Sequence, residues 1–398
     1  MNIHEKINLI QSSLQKENID GWLFYDFWKR NEFAQRILEY PHYLLNTRRF
    51  FYFIPKNGTP QKLVHSIERF NLDHLPGDKT IFLSWQSFED GLKKILSNQK
   101  KIAMEYSPNN AIPYVSKVDA GTIEMVKKNG IEIVSSMNLI QYFESRWSEE
   151  AFYDNLETAK IMRQIVDLTF GFMKEKILAK EKLTEYDVQQ FMLKKFSENN
   201  LITNESPNCS VNANSGNPHY EPTKEVHSEI KNGDFVLIDL WAKKNKVGST
   251  YNDITWVGFV GENVPEKYTK IFDIVSGARD RAIDFVSESF ENKKIIRGCD
   301  IDDVARNYIV ENGYGESFIH RTGHSITEDL HGSGANIDNL ETRDERIIMR
   351  ETSFSIEPGI YFWDDFGIRS EVDVYISKNG EVMVMGEPKQ KKIVSILK

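Results

Sequence analysis

The run "FVLIDLWA" is the tightest constraint on how this chain can fold. It has the apolar, β-branched character of a buried strand, yet Asp239 sits inside it. Burying an ionised carboxylate is costly unless a cation or several hydrogen bonds compensate it. The anomaly recurs. "YNDITWVGFV" puts Asp253 at the mouth of a second apolar strand, "SFSIEPGIYF" carries Glu357, and "IRSEVDVYI" carries Glu371. One acid at a strand end usually caps a turn or pairs with arginine; four in four strand contexts point to a shared centre. Two like charges about 4 Å apart repel by roughly 4 kcal/mol at an effective dielectric near 20, so converging acids need cations. Nearby, "FIHRTGHSITEDLHG" supplies His320, His324 and His331. Carboxylates joined by one imidazole form an oxygen-rich donor set. That set suits manganese, iron(II) or cobalt, with zinc less favoured in the absence of thiolates. Four carboxylates offset two divalent ions, and such a pair makes water nucleophilic at neutral pH.

At 398 residues the chain exceeds the usual size of one domain, so two are expected. Residues 1–147 alternate strand-like runs ("GWLFY", "RRFFYFI", "KLVHSI", "TIFLSW", "KIAMEY", "IEIV") with helical periodicity in "HEKINLIQSSLQ", "FEDGLKKIL" and "DAGTIEMVKKNG". Asn57-Gly58 between two strand runs signals a hairpin. The second domain, residues 148–398, opens with a long helix capped by Ser148. A further helix follows whose Thr184 and Asp187 are spaced as a capping box. Strands and helices then mix to the C-terminus. The class is α/β, of the α+β kind.

A formal charge of −9 without a long basic run argues against nucleic acid as a partner. No apolar run is long enough to cross a bilayer, and the opening residues read as an amphipathic helix rather than a signal peptide. Cys209 and Cys299 stand far apart and form neither a disulfide framework nor a CxxC site, which fits a reduced, cytoplasmic compartment.

In order, Asp in "LIDLWA", Asp in "NDIT", His in "HRTGHSI", Glu in "IEPGIY" and Glu in "IRSEV" resemble the Asp–Asp–His–Glu–Glu pattern of the pita-bread metallopeptidases. That group includes aminopeptidase P, prolidase and methionine aminopeptidase. The resemblance implies that Asp239 binds a first metal, His324 and Glu357 a second, and that Asp253 and Glu371 bridge both. It implies two divalent ions, manganese foremost, with cobalt, iron or zinc compatible. It also implies that His331 contacts substrate and assists proton transfer, that His219 in "GNPHYEPT" faces the scissile bond, and that His320 supports the pocket. Arg369, two residues before Glu371, orients the site through hydrogen bonds. The N-terminal α/β part is similar to that of creatinase, prolidase and aminopeptidase P, which points away from methionine aminopeptidase. The implied activity is hydrolysis of the bond preceding proline in a peptide or dipeptide, by a homodimer. Two alternatives stand on the same fold: a metal-free creatinase-like amidinohydrolase and a catalytically inactive binding protein. The full set of five ligand residues counts against both.

The chain departs from that pattern at several points. Thirteen residues separate Asp239 from Asp253 where ten are usual, and the polar "KKNKVGS" is expected to enlarge a hairpin turn. "DLWA" replaces Asp-x-Gly-Ala, "DITW" replaces Asp-Ile-Thr-Arg, Ser325 stands where Gly is frequent, and "SEVD" stands for Glu-Asp. His65, His227, Trp241, Trp256 and Cys209 read as structural, and Pro358-Gly359 as a turn after Glu357.

Overall fold

The computed structural model describes residues 2–398. The chain divides into two compact units, one ending at Glu144 and the other running from Ser145 to Lys398. The first is built from α1 (Ile3–Lys16), β1 (Gly21–Asp26), α2 (Glu32–Ile37), β2 (Phe50–Pro55), β3 (Gln61–His65), β4 (Asp78–Phe82), α3 (Trp85–Leu96), β5 (Lys101–Met104), α4 (Ala120–Lys127), β6 (Glu132–Ser135) and α5 (Met137–Glu144).

Its strands form one sheet in the order β4-β3-β2-β1-β5-β6. β2 runs antiparallel to both neighbours, and the remaining pairs are parallel. Both faces are covered, which explains why β1 and β2 are buried throughout and, Asp26 at the end of β1 apart, carry no charge. Along β1, Trp22 and Phe24 pack with α1, α2 and α5, while Leu23 and Tyr25 pack with α3 and α4. Each such large side chain contributes on the order of 1.5–3 kcal/mol by leaving water. The hairpin at Asn57-Gly58 is present, with Gly58 at φ +94° joining β2 to β3. Helix α3 begins three residues earlier than its apolar pattern suggests, because the Ser84 hydroxyl caps the Ser87 amide.

The second unit contains α6 (Glu149–Leu178), α7 (Glu185–Glu198), β7 (Leu201–Ile202), β8 (Asn208–Val211), β9 (Phe235–Lys244), β10 (Asn252–Phe259), α8 (Glu266–Glu291) and α9 (Gly298–Glu311). It continues through β11 (Ser325–Ile326), β12 (Ser353–Ile356), β13 (Gly359–Phe362), β14 (Phe366–Arg369), β15 (Val372–Ile376), β16 (Val382–Met385) and β17 (Val394–Ser395). Ser148 caps α6 through the Ala151 amide, and Thr184 with Asp187 closes the capping box of α7. β17-β10-β9-β7 form one sheet with β8 also on β9; β11-β12-β15-β16 form a second; β13-β14 form a hairpin.

Strand alternation in β9 decides where the acid points. Val236, Ile238, Leu240 and Ala242 enter the core under α6 and α7, whereas Phe235 and Leu237 enter the core shared with α8, α9 and the second sheet. Asp239 therefore faces the second sheet. The antiparallel register sets Thr255 opposite Asp239 and Trp241 opposite Asp253, so both acids share that face. The loop between these strands spans residues 245–251 and turns at Gly248, with φ +82°. The strand expected through "SFSIEPGIYF" is broken in two at Glu357-Pro358. Pro358 has no N–H to offer a ladder, so β12 ends where the carboxylate begins.

Candidate metal centre

Glu357 and Glu371 lie just beyond the β12–β15 ladder, which runs antiparallel with Ile356 opposite Val372. The same ladder continues to β11, where the Ser355 amide donates to the His324 carbonyl at 2.8 Å. His324, Ser355, Glu357 and Glu371 thus fall on one side of this sheet, facing the side of β9–β10 that carries Asp239 and Asp253. Metal-ligating atoms of Asp253, His324 and Glu371 lie within 4.8 Å of one another, all buried. Glu357 joins them through His324, whose Nε2 is 3.6 Å from Glu357 Oε1 and 3.7 Å from Asp253 Oδ2. Asp239 joins through an ion pair with Arg369 and through Thr255, whose hydroxyl lies 2.9 Å from Asp239 Oδ1. That hydroxyl accepts from Arg369 Nε at 3.1 Å and gives its single proton to the nearer acid, Glu371 Oε2, at 2.6 Å.

The charges in this cluster do not balance within the protein. Burial, followed by Glu371 and Asp239, pushes the Asp253 carboxyl well above the usual carboxylate range. Burial and then Glu357 do the same to Glu371. Burial raises Glu357 to about 7, against the pull of Arg369 and Arg321. Asp253 Oδ1 is buried with no hydrogen-bond partner. Burial holds His324 well below its usual value, so the ring is neutral. With Nδ1 beside the Ser325 carbonyl at 3.2 Å, the N–H is assigned there and the Nε2 lone pair faces the acids. A lone pair aimed at carboxylates repels them. An unpartnered buried oxygen and a lone pair on one centre are a chemical fit for divalent cations, and the oxygen-rich donor set agrees. Asp253, His324 and Glu371 could hold a metal ion together, and Glu357 and Asp239 stand beside them as further candidate ligands.

His331 and His320 connect to this centre, and His219 lies within electrostatic reach of His331. The His331 ring stands edge-on to His324 at 4.4 Å; partial burial, then Arg321, lowers its pKa, and His219 adds to the shift. His219 is exposed on the segment that follows the 3₁₀ turn Asn212–Gly216. His320 belongs to a chain of hydrogen bonds: Arg369 Nη1 donates to the Tyr361 hydroxyl at 3.1 Å, which donates to His320 Nε2 at 2.8 Å, while His320 Nδ1–H reaches the Arg321 carbonyl at 2.7 Å. Burial and then Arg369 push His320 down to about 3, and burial raises Tyr361 to about 12. Both groups are neutral connectors at ordinary pH.

Thr255, Tyr361 and Asp373, absent from the candidates the sequence offers, also stand here. Asp373 accepts from the Asp253 amide and from Asn252 Nδ2, both at 2.8 Å, and so fixes the start of β10. Its two-residue spacing from Glu371 was a usable signal; Thr255 and Tyr361 are ordinary strand residues and gave none. Trp256 is buried on the opposite face of β10 with Arg163 stacked 3.8 Å above it, whereas half-buried Trp241 shares the ligand face. Cys209 is buried, His65 caps the Ile67 amide, and His227 bonds the Thr223 carbonyl.

Residues 157–378 match the model of metallopeptidase family M24, and the chain belongs to that family. A Xaa-Pro dipeptidase from Pyrococcus furiosus is 35% identical over 151 residues, which span 38% of this chain and 39% of that relative. Among solved structures, the dipeptidase PepE from Mycobacterium ulcerans superposes with a TM-score of 0.70 at 15% identity, covering 99% of this chain and 98% of that one. A recombinant prolidase from Thermococcus sibiricus gives 0.64 at 20% identity over 99% of both chains. At such identities the likeness is one of fold, and it is the α/β, pita-bread class expected from the sequence. The family is one of divalent-metal hydrolases.

Proposed function

We propose that this metallopeptidase hydrolyses the peptide bond preceding proline, using two divalent ions held by Asp239, Asp253, His324, Glu357 and Glu371. The observation that carries the reading is the buried, unpartnered Asp253 oxygen among like charges, opposite a neutral imidazole lone pair. The names of the relatives support the Xaa-Pro substrate class, with the dipeptide form first and an aminopeptidase acting on longer peptides second. Manganese is the proposed physiological metal, and a cytoplasmic homodimer the proposed setting. Among the described residues no helix is long and apolar enough to cross a membrane.

Bound cations would supply Lewis-acid polarisation of the scissile carbonyl and activation of water at neutral pH. The protein's own groups do the rest. Glu357, steadied by the Ser355 hydroxyl at 3.2 Å, accepts the proton of the attacking water. His219 faces the carbonyl oxygen as negative charge develops on it. His331, on the exposed side of His324, delivers a proton to the proline nitrogen, which is tertiary in the peptide and must be protonated to leave. Arg369 and His320, joined through Tyr361, hold Asp239 and the pocket wall in place.

The test is chelation followed by reloading with manganese, assayed on Xaa-Pro dipeptides and on Xaa-Pro peptides of increasing length. Manganese-dependent cleavage of dipeptides is expected. Release of the first residue from the longer peptides instead would assign the aminopeptidase form. If metal-loaded protein cleaves neither, the reading fails.

A further inference from the structure

Glu185 opens α7 and is wholly buried, and among the described residues no lysine or arginine pairs with it. Five hydrogen bonds from four residues converge on its carboxylate. The Val211 amide (2.7 Å) and Asn214 Nδ2 (3.0 Å) donate to Oε1; the Tyr220 hydroxyl (2.5 Å), the Ser228 amide (2.6 Å) and Asn214 Nδ2 again (3.1 Å) donate to Oε2. These donors, with the positive end of the α7 dipole, make a buried anion tolerable without a counter-ion.

Every donor belongs to one stretch, residues 211–228, which begins at the end of β8 and carries His219. Within it, the His219 amide donates to Asn217 Oδ1 at 3.1 Å and the Tyr220 amide to the Asn217 carbonyl at 3.0 Å, so the histidine sits on a tight turn next to the pinned phenol. The other side of the stretch is pressed onto the β13–β14 hairpin. Gly367 N–H donates to Ser215 Oγ at 2.9 Å, and a Cβ at Gly216 or Gly367 would collide with the carbonyl of Phe362 or Ser215. That hairpin bears Tyr361 and ends at Arg369. The segment is therefore clamped between α7 and the hairpin, with His219 at its exposed apex.

We propose that Glu185 is a positioning residue for His219: its carboxylate decides where the imidazole stands over the metal centre. This role rests on the peptidase reading. Glu185 touches neither the ligand residues nor the space they enclose, so it acts through the loop.

The experiment is a double-mutant cycle of Glu185→Gln with His219→Ala, reading kcat, KM and metal content on an Xaa-Pro dipeptide. Glutamine keeps the size but offers one acceptor oxygen, and its amide N–H₂ faces donors. Glu185→Gln is expected to lower kcat/KM on the order of 10- to 100-fold, chiefly in kcat, with metal content retained. In the His219→Ala background the same change is expected to cost almost nothing further. Hydrogen exchange gives a reading independent of activity: the Val211 and Ser228 amides should exchange faster in Glu185→Gln while amides in β9 and β12 do not. If Glu185→Gln does not fold, Tyr220→Phe, which removes one donor only, carries the same cycle with a smaller effect. Additive losses, loss of metal, or full activity of His219→Ala would each overturn the role. Wild-type protein inactive on every Xaa-Pro peptide removes the peptidase reading and this role together; active wild-type protein with an additive cycle removes this role alone.

Discussion

Replacing Asp253 by Asn separates the stability of the metal-free protein from its hold on cations. Ligating oxygens of Asp253 and Glu371 lie within 4.8 Å of each other. At an effective dielectric near 20, two full charges at that distance repel by about 3.5 kcal/mol. Both carboxyls, and Glu357 at about 7, are raised by burial first. A raised carboxyl binds its proton more tightly in the folded state, so its favourable contribution is complete below the ordinary carboxylate range and is lost as pH climbs through the raised value. At acid pH the metal-free wild type and Asp253→Asn should thus unfold at similar temperatures. At about pH 8.5, where more of this repulsion is present than at acid pH, the chelated variant should unfold higher, by up to about 10 °C when the full repulsion of roughly 3 kcal/mol is felt over a unit of this size. Added manganese should reverse the order, raising the wild-type midpoint and leaving the variant nearly unmoved, because a neutral amide replaces the carboxylate proposed to bridge the ions. The assay is thermal unfolding at both pH values with chelator and with manganese, alongside metal analysis. A chelated variant less stable than wild type at about pH 8.5, or one that binds manganese as well as wild type, would show that Asp253 neither repels its neighbours nor holds a cation.

Tyr361→Phe removes the phenol that receives Arg369 Nη1 and donates to His320 Nε2. Two buried polar groups lose their partner, so stability should fall by about 1–3 kcal/mol and activity should drop with metal content kept; unchanged denaturant midpoint and kcat would show the link to be idle. In the first unit, Glu105 is wholly buried, accepts from Trp22 Nε1 at 2.6 Å and Asn31 Nδ2 at 2.8 Å, and is raised by burial to about 7 from an ordinary 4.5. The sign is again that of a raised acid: stability present below about 4.5 is lost as pH rises through about 7, by roughly 3 kcal/mol for that interval. Glu105→Gln should flatten this dependence, and a pH profile of thermal unfolding identical to wild type would count against it.

Much of the fold is written locally. Ser148 and the Thr184–Asp187 pair mark helix starts that the structure places at those residues, and Asn57-Gly58 marks a turn that Gly58 makes with positive φ. Such features depend on neighbours within four residues, so reading along the chain finds them. The break at Pro358 was half visible: the missing N–H is a local fact, but that it ends one strand and begins a hairpin depends on which strand lies alongside. Nothing in their own stretches distinguishes Thr255 and Tyr361; their roles come from Arg369, distant in sequence and adjacent in space.

Acids with no local partner, set in strands too apolar to be exposed and accompanied by a histidine-rich loop, are legible along the chain. Burial pattern and the cost of an uncompensated carboxylate follow from residue type and order alone. That β9–β10 and β11–β12–β15 present those acids to one another, that Arg369 takes Asp239, and that His324 turns a lone pair inward emerges with the folded arrangement. Those outcomes depend on strand register and on the meeting of two sheets, and electrostatic energy depends on distances that no linear spacing contains.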